Sequence, residues 1–131
     1  MSKYNRYGKS KSKYHNKKVT YDGHTFDSRH EAERYIILRD KALRNEIQGL
    51  ELQKKFILIP SQKAPDTINE RGRKVKGKVI ERECAYYADF VYYDTARECF
   101  VVEDAKGVRT EAYKIKKKLM LYKFGIKIEE V

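Results

Sequence analysis

The sequence has no tryptophan, only two prolines and two cysteines, and no acidic side chain among its first 18 residues. Each shortage excludes something. Cys84 and Cys99 lie in apolar runs without a CxxC pair or a nearby histidine cluster, so the spacing argues against a zinc site. Both read as buried small hydrophobes, reduced in the cell. No apolar run approaches the roughly 20 residues that span a bilayer, and the opening MSKYNRYGKSKSK lacks the apolar stretch of a secretory signal. No membrane association and a cytoplasmic location are expected. His15, His24 and His30 have no nucleophile placed near them by the pattern, so they read as surface residues. A chain of 131 residues is long enough for one hydrophobic core but not two.

What the sequence does have is positive charge. Lysine and arginine number 30 against 19 acids, a net +11, and such an excess favours polyanions such as DNA, RNA or an anionic membrane surface. The plain alternative is a basic protein that is merely soluble. Eleven tyrosines supply rings that suit a core or the faces of bases equally well. Residues 1–18 carry Lys3, Arg6, Lys9, Lys11, Lys13, Lys17 and Lys18 and almost nothing aliphatic, which predicts a flexible basic tail ahead of a single domain over 19–131. Lys11, Lys13, Lys17 and Lys18 are expected to meet phosphates, the bland counterpart being a solubilising tail.

KKVTY and HTFDS flank Asp22-Gly23, a strong signal for a two-residue hairpin turn. Ser28 with Glu31 three residues on makes a capping-box pattern, predicting a helix to about Ile47 that stops at Gly49. Its core stripe is Glu31, Tyr35, Leu38 and Ala42. LELQKKFILIP reads as a strand ended by Pro60. The polar stretch at about 61–78 concentrates Arg71, Arg73, Lys74, Lys76 and Lys78 and reads as a long, mobile basic loop, with Arg71, Arg73, Lys74 and Lys76 its expected nucleic-acid contacts. VIERECAYYADFVYYD and ECFVVEDAKG are two β-rich runs about a short turn, predicting an antiparallel hairpin. A helix from Thr110 to about Phe124 follows, with Ala112, Ile115, Leu119 and Tyr122 as its apolar stripe, ended by Gly125 before a final strand IKIEEV. The predicted class is α/β: an αβββαβ core with a mixed sheet, preceded by a short β-hairpin.

The chemistry-bearing pieces are Asp89 in YYADFVYY and the triplet Asp104-Ala105-Lys106. Strand alternation puts Asp104 and Lys106 on one face, and a turn at 95–97 pairs Asp104 with a residue near 88, beside Asp89. Two carboxylates one strand apart, with an ammonium two residues along, suit phosphodiester hydrolysis. The carboxylates would hold Mg²⁺ or Mn²⁺, hard ions that prefer oxygen, and the lysine would orient a water or stabilise phosphate charge. The alternative is a set of strand-end charges paired with lysines. Acids inside runs as apolar as AYYADFVYY and FVVEDAKG are costly to bury without a cation, which weighs toward the site. Alternation turns Glu103 away from Asp104, although a bulge would exchange them.

An acid on one hairpin strand, (D/E)xK on the next and a glutamate on the preceding helix resemble the PD-(D/E)XK nuclease superfamily, which includes Holliday-junction resolvases and restriction enzymes. TFDSRHEAERY, LELQKKFILIP, YYADFVYYD, VVEDAKG and the spacing of Thr110, Tyr113 and Lys116 look like a family of small phage-borne proteins described as endonucleases. The resemblance covers roughly residues 17–131. It implies a restriction-endonuclease-like fold, a Mg²⁺-dependent endodeoxyribonuclease acting on branched phage DNA in the host cytoplasm, and catalytic roles for Asp89, Asp104 and Lys106. Glu31 maps onto the superfamily's helix glutamate, yet a capping role would equally account for it. Lys116 is an auxiliary nucleic-acid contact. A homodimer follows by analogy with enzymes that cut symmetrically. The other reading open at this point is a non-catalytic DNA- or RNA-binding module on the same fold; a regulatory adaptor has no residue that singles it out.

Overall fold

The structure, a computed structural model, describes residues 17–105 and 108–131. The expectations for Lys11, Lys13, His15 and Lys106 therefore lie outside the described residues. The chain opens with β1 (Val19–Tyr21) and β2 (His24–Phe26), paired antiparallel about Asp22 and Gly23, both at positive φ (53° and 76°) as a tight hairpin turn demands. Helix α1 (Arg29–Leu43) starts where expected: Ser28 is extended and its Oγ accepts the Glu31 amide at 3.2 Å. It ends one turn early. Asn45 takes a left-handed φ of 58°, which an asparagine tolerates, and the chain reverses there instead of at Gly49. Ile47, expected in the helix, begins strand β3 (Ile47–Ile59), and Gly49 sits at the register shift between Gln48 and Glu51.

The stretch expected to be a structureless loop is a nested β-ribbon. β4 (Gln62–Lys63) pairs with β7 (Val79–Glu81), and within them β5 (Thr67–Ile68) pairs with β6 (Lys74–Val75). Local polar bonding overrode the loop-like composition: Asn69 Oδ1 accepts the amides of Arg71 and Arg73, and Asp66 Oδ1 accepts that of Gly77. A side chain at Gly77 would meet the Ala64 carbonyl oxygen at 1.7 Å, so only glycine fits that close approach.

The main sheet has the order β10-β9-β8-β3. Strands β3, β8 (Cys84–Asp94) and β9 (Cys99–Asp104) are antiparallel, and after α2 (Glu111–Phe124) the short β10 (Glu129–Glu130) runs parallel to β9. The fold is thus mixed α/β with a mixed sheet and two helices. Two apolar clusters form, one holding Phe26, the α1 stripe, Phe90 and Val101, the other holding Leu58, Tyr86, Val102, Tyr113 and Met120. Each fully buried Phe or Leu contributes about 2 kcal/mol. The expected α1 stripe is the buried one, with Ala42 partly exposed. For α2 only Leu119 of the expected stripe packs against the core. Tyr113 and Met120 are buried, whereas Ile115 and Tyr122 are 57% and 90% exposed, because the helix turns the face of its Tyr113, Lys116, Lys117 and Met120 to the sheet. Neither cysteine is buried as expected; Cys84 is half-buried and Cys99 exposed.

Along β8, Tyr86 and Ala88 join the α2-side cluster while Phe90 and Tyr92 join the α1-side cluster, although all four share one parity. The facing strand does the same, since Leu52 packs with the α1 group and Phe56 and Leu58 with the α2 group. Side chains of a regular strand keep one face at every second position, so both strands invert their pleat between these levels. The inversion falls at Gln53 and Asp89, opposite each other in register, and Gln53 carries a φ of 51°.

Glu103 and Asp104, expected on opposite faces, do part company. Glu103, fully buried, accepts the Arg34 guanidinium with both carboxylate oxygens and also the Tyr92 hydroxyl, on the α1 side. Removing one partner of a buried pair strands the other charge. Arg34→Met should therefore lower the unfolding free energy by on the order of 3 kcal/mol in denaturant titration; a loss below about 1 kcal/mol would mean that Glu103 is solvated by other means.

Candidate active site

Asp89 is half-buried in the middle of β8, at the point where the sheet inverts its pleat. The β8–β9 ladder stops at Phe90 and Glu103, and continuing its register sets Asp104 opposite Asp89. Asp89 takes over the next rung itself. Its Oδ2 accepts the Ala105 amide at 2.9 Å, pinning the chain just beyond β9, and its Oδ1 accepts Gln53 Nε2 at 2.9 Å.

The same Gln53 nitrogen donates to Glu31 Oε1 at 3.2 Å, so a carboxylate from α1 and one from β8 converge on a single amide. Gln53 is the residue that sequence reasoning missed. Nothing in LELQKKFIL marks it, and only the positive φ and the cross-strand register bring its side chain to Asp89. A non-glycine residue in that conformation costs roughly 1 kcal/mol, and such strain concentrates at functional positions. Glu31 is buried and its pKa is pushed up to about 7, chiefly by desolvation, then by the charges of Asp89 and Asp27. Its backbone amide donates to the Ser28 hydroxyl, a bond that any residue at this position would supply, while its carboxylate accepts Gln53 beside Asp89.

Asp104 is buried and accepts the Tyr86 hydroxyl through Oδ2 on the α2 side, which raises the tyrosine pKa further after burial. Tyr86 was not anticipated either. Val131 N donates to the Asp104 carbonyl at 3.0 Å and holds the strand end against β10. The site therefore gathers Glu31, Asp89 and Gln53, with Asp104 adjacent but turned toward Tyr86. Lys17, Lys18, Arg71, Arg73, Lys74 and Lys76 are all exposed, Lys74 bridging to Asp66 at 3.3 Å. Lys116 is half-buried on the packed side of α2, and Lys117 beside it pairs with Glu130. The lysine-rich part of α2 is thus not a uniformly solvated face.

An all-oxygen set of two carboxylates and an amide has the chemistry a hard divalent cation takes, and two acids crowded into one partly dry corner gain from such a cation. Among the described residues, no three of His, Cys, Asp and Glu are gathered closely enough to hold a metal by themselves. A further protein oxygen would come from Asp104 after it leaves Tyr86, or from a neutral group, with waters completing the shell.

Burial of Glu31 carries a sign. An acid whose folded pKa stands at about 7 against an ordinary 4.5 holds its proton in the folded state after the unfolded chain has released it, so stability falls as pH rises through that window. The loss is on the order of 3 kcal/mol. Glu31→Gln should flatten stability between pH 4.5 and 7 and make the variant the more stable protein above that range, as read by denaturant titration across pH. A wild type whose stability stays constant through the window would show that the Glu31 charge is not confined.

No curated protein and no solved structure matches the chain, and among the described residues no helix is long and apolar enough to cross a membrane. One family model matches residues 11–129, a span that takes in α1, the ribbon, the whole β3–β8–β9 sheet and the Glu31, Gln53, Asp89 and Asp104 positions. The chain is a member of DUF1064, a family of proteins of unknown function.

Proposed function

We propose that this protein is a metal-dependent endonuclease that hydrolyses DNA phosphodiester bonds on a restriction-endonuclease-like core. The observation that carries the reading is the convergence of Glu31 and Asp89 on one amide, at the level where β9 ends at Asp104 and Ala105 donates its amide to Asp89. Apart from the ribbon β4–β7 inserted after β3, the order α1, β3, β8, β9, α2, β10 is the αβββαβ order this reading expects. The sequence resemblance to PD-(D/E)XK nucleases gives Asp89, Asp104 and Lys106 their proposed roles.

When bound, Mg²⁺ or Mn²⁺ would supply charge to the phosphoryl oxygen and a water of lowered pKa. Asp89 and Glu31 would hold the cation, and Asp104 would join them on exchanging its Tyr86 bond. By accepting the Ala105 amide, Asp89 also fixes the backbone that leads to Lys106, whose ammonium would orient the attacking water. The exposed cations of the ribbon, with Lys17 and Lys18, would take phosphates on either side of the cut. Branched DNA as substrate, and a homodimer that brings two sites to it, rest on the resemblance alone.

A second reading is a nucleic-acid-binding module without catalysis. The bond that engages Asp104 with Tyr86 favours it.

Asp104→Asn separates the two. It removes one negative charge at nearly constant volume, so DNA binding should hold or tighten while cleavage with Mg²⁺ or Mn²⁺ falls by several orders of magnitude, and chelator should stop the wild type. Paired binding and cleavage assays on linear and four-way-junction DNA give the answer; a wild type that binds but cuts neither with either metal is a binding module. The ribbon has its own signature. Alanine at Arg71, Arg73, Lys74 and Lys76 removes four cations, of which, among the described residues, Lys74 alone pairs with a carboxylate, that of Asp66. The slope of log K against log salt should flatten by about 3, and an unchanged slope would take the ribbon off the DNA.

A further inference from the structure

Gln53 occupies an unusual position for a neutral side chain. It lies exposed in the central part of β3, in a left-handed backbone conformation, directly across from Asp89. Its two terminal N–H groups are shared between two carboxylates from different elements, α1 and β8. Two acceptors facing one amide end select the nitrogen for that end, since the carbonyl oxygen would repel both. The arrangement thus has a donor standing between two acids, where a cation would otherwise relieve their repulsion.

The geometry points to Gln53 as a ligand-exchanging residue of the cation site: its amide nitrogen bridges Glu31 and Asp89 in the cation-free protein, and its carbonyl oxygen turns to the cation when one binds. The inference rests on the cation reading proposed above and adds a residue to it. The turn is inexpensive because the last torsion of glutamine is broad and close to two-fold, so exchanging oxygen for nitrogen needs no movement of the backbone. Exposure of the side chain leaves it room to rotate. Once a cation replaces the amide hydrogens, the inward group has to be an acceptor, and Gln53 carries one on the same carbon. Gln53 would then add a neutral oxygen to those of Glu31 and Asp89, beside the one that Asp104 would bring on leaving Tyr86. The pleat inversion accounts for its placement. A regular β3 would alternate through position 53 without the turn that brings this side chain to Glu31.

Mn²⁺ binding to the full chain, followed by calorimetry and by the paramagnetic signal of the free ion, tests this without reference to cleavage. Gln53→Gly is the informative variant, because glycine adopts a positive φ freely and so keeps the backbone while deleting the amide. If Gln53 is a ligand, Gln53→Gly should weaken Mn²⁺ binding about tenfold or more, and Gln53→Glu, which keeps an oxygen at the same reach, should bind at least as tightly as wild type. If the amide only competes with the cation, Gln53→Gly should bind Mn²⁺ as well as or better than wild type, and the inference is overturned while the cation site stands. A wild type that binds no Mn²⁺ overturns both. Circular dichroism of each variant confirms that the fold is kept.

Discussion

At the rung formed by Gln53 and Asp89, β3 and β8 invert their pleat together, and much else in the molecule depends on this. Below it, Leu52, Phe90 and Tyr92 belong to the core under α1; above it, Phe56, Leu58, Tyr86 and Ala88 belong to the core under α2. A strand with strict two-residue alternation could not serve both helices with residues of one parity. The inversion costs a non-glycine residue at positive φ, and it leaves the side chains at that level committed to neither core. Polar groups can collect there without displacing apolar packing.

The acids of this region then divide by how their charge is met. Glu103 lies fully inside the protein, and its oxygens accept a forked guanidinium and a hydroxyl, so its burial is compensated within the fold. Glu31 and Asp89 share one amide, which neutralises no charge, and burial, followed by the charge of Asp89, raises the Glu31 pKa. Adjacent positions in VVEDAKG thus have different physical roles. The strand sends Glu103 to Arg34 and Asp104 to Tyr86, on opposite faces.

The ribbon is a different solution to charge. Two-stranded ribbons are marginal by themselves, and this one is held by Asn69 and Asp66 accepting backbone amides and by a Gly77 that no larger residue could replace. It carries Arg71, Arg73, Lys74 and Lys76 away from the main sheet on a defined scaffold. A defined scaffold presents cations to a polyanion at lower entropic cost than a free loop would.

Local pattern determined a good deal. The Asp22-Gly23 hairpin, the Ser28 cap, the Gly125 stop, the α1 stripe, and the antiparallel hairpin that sets Asp104 against Asp89 all follow from signals that lie close along the chain. Where local signals competed, tertiary structure decided. Ile47 left the helix pattern for the strand because the core took it there, and Asn45 offered the left-handed turn that allowed it. The stripe Ala112, Ile115, Leu119 and Tyr122 is as periodic as the one containing Tyr113 and Met120, and only docking on the sheet chose between them. Gln53 was illegible for the same reason. Its role depends on a strand register and a pleat inversion that bring together residues 22 and 36 positions apart. Helix and turn signals are carried by near neighbours along the chain, whereas the meeting of Glu31, Gln53 and Asp89 exists only once three elements have packed.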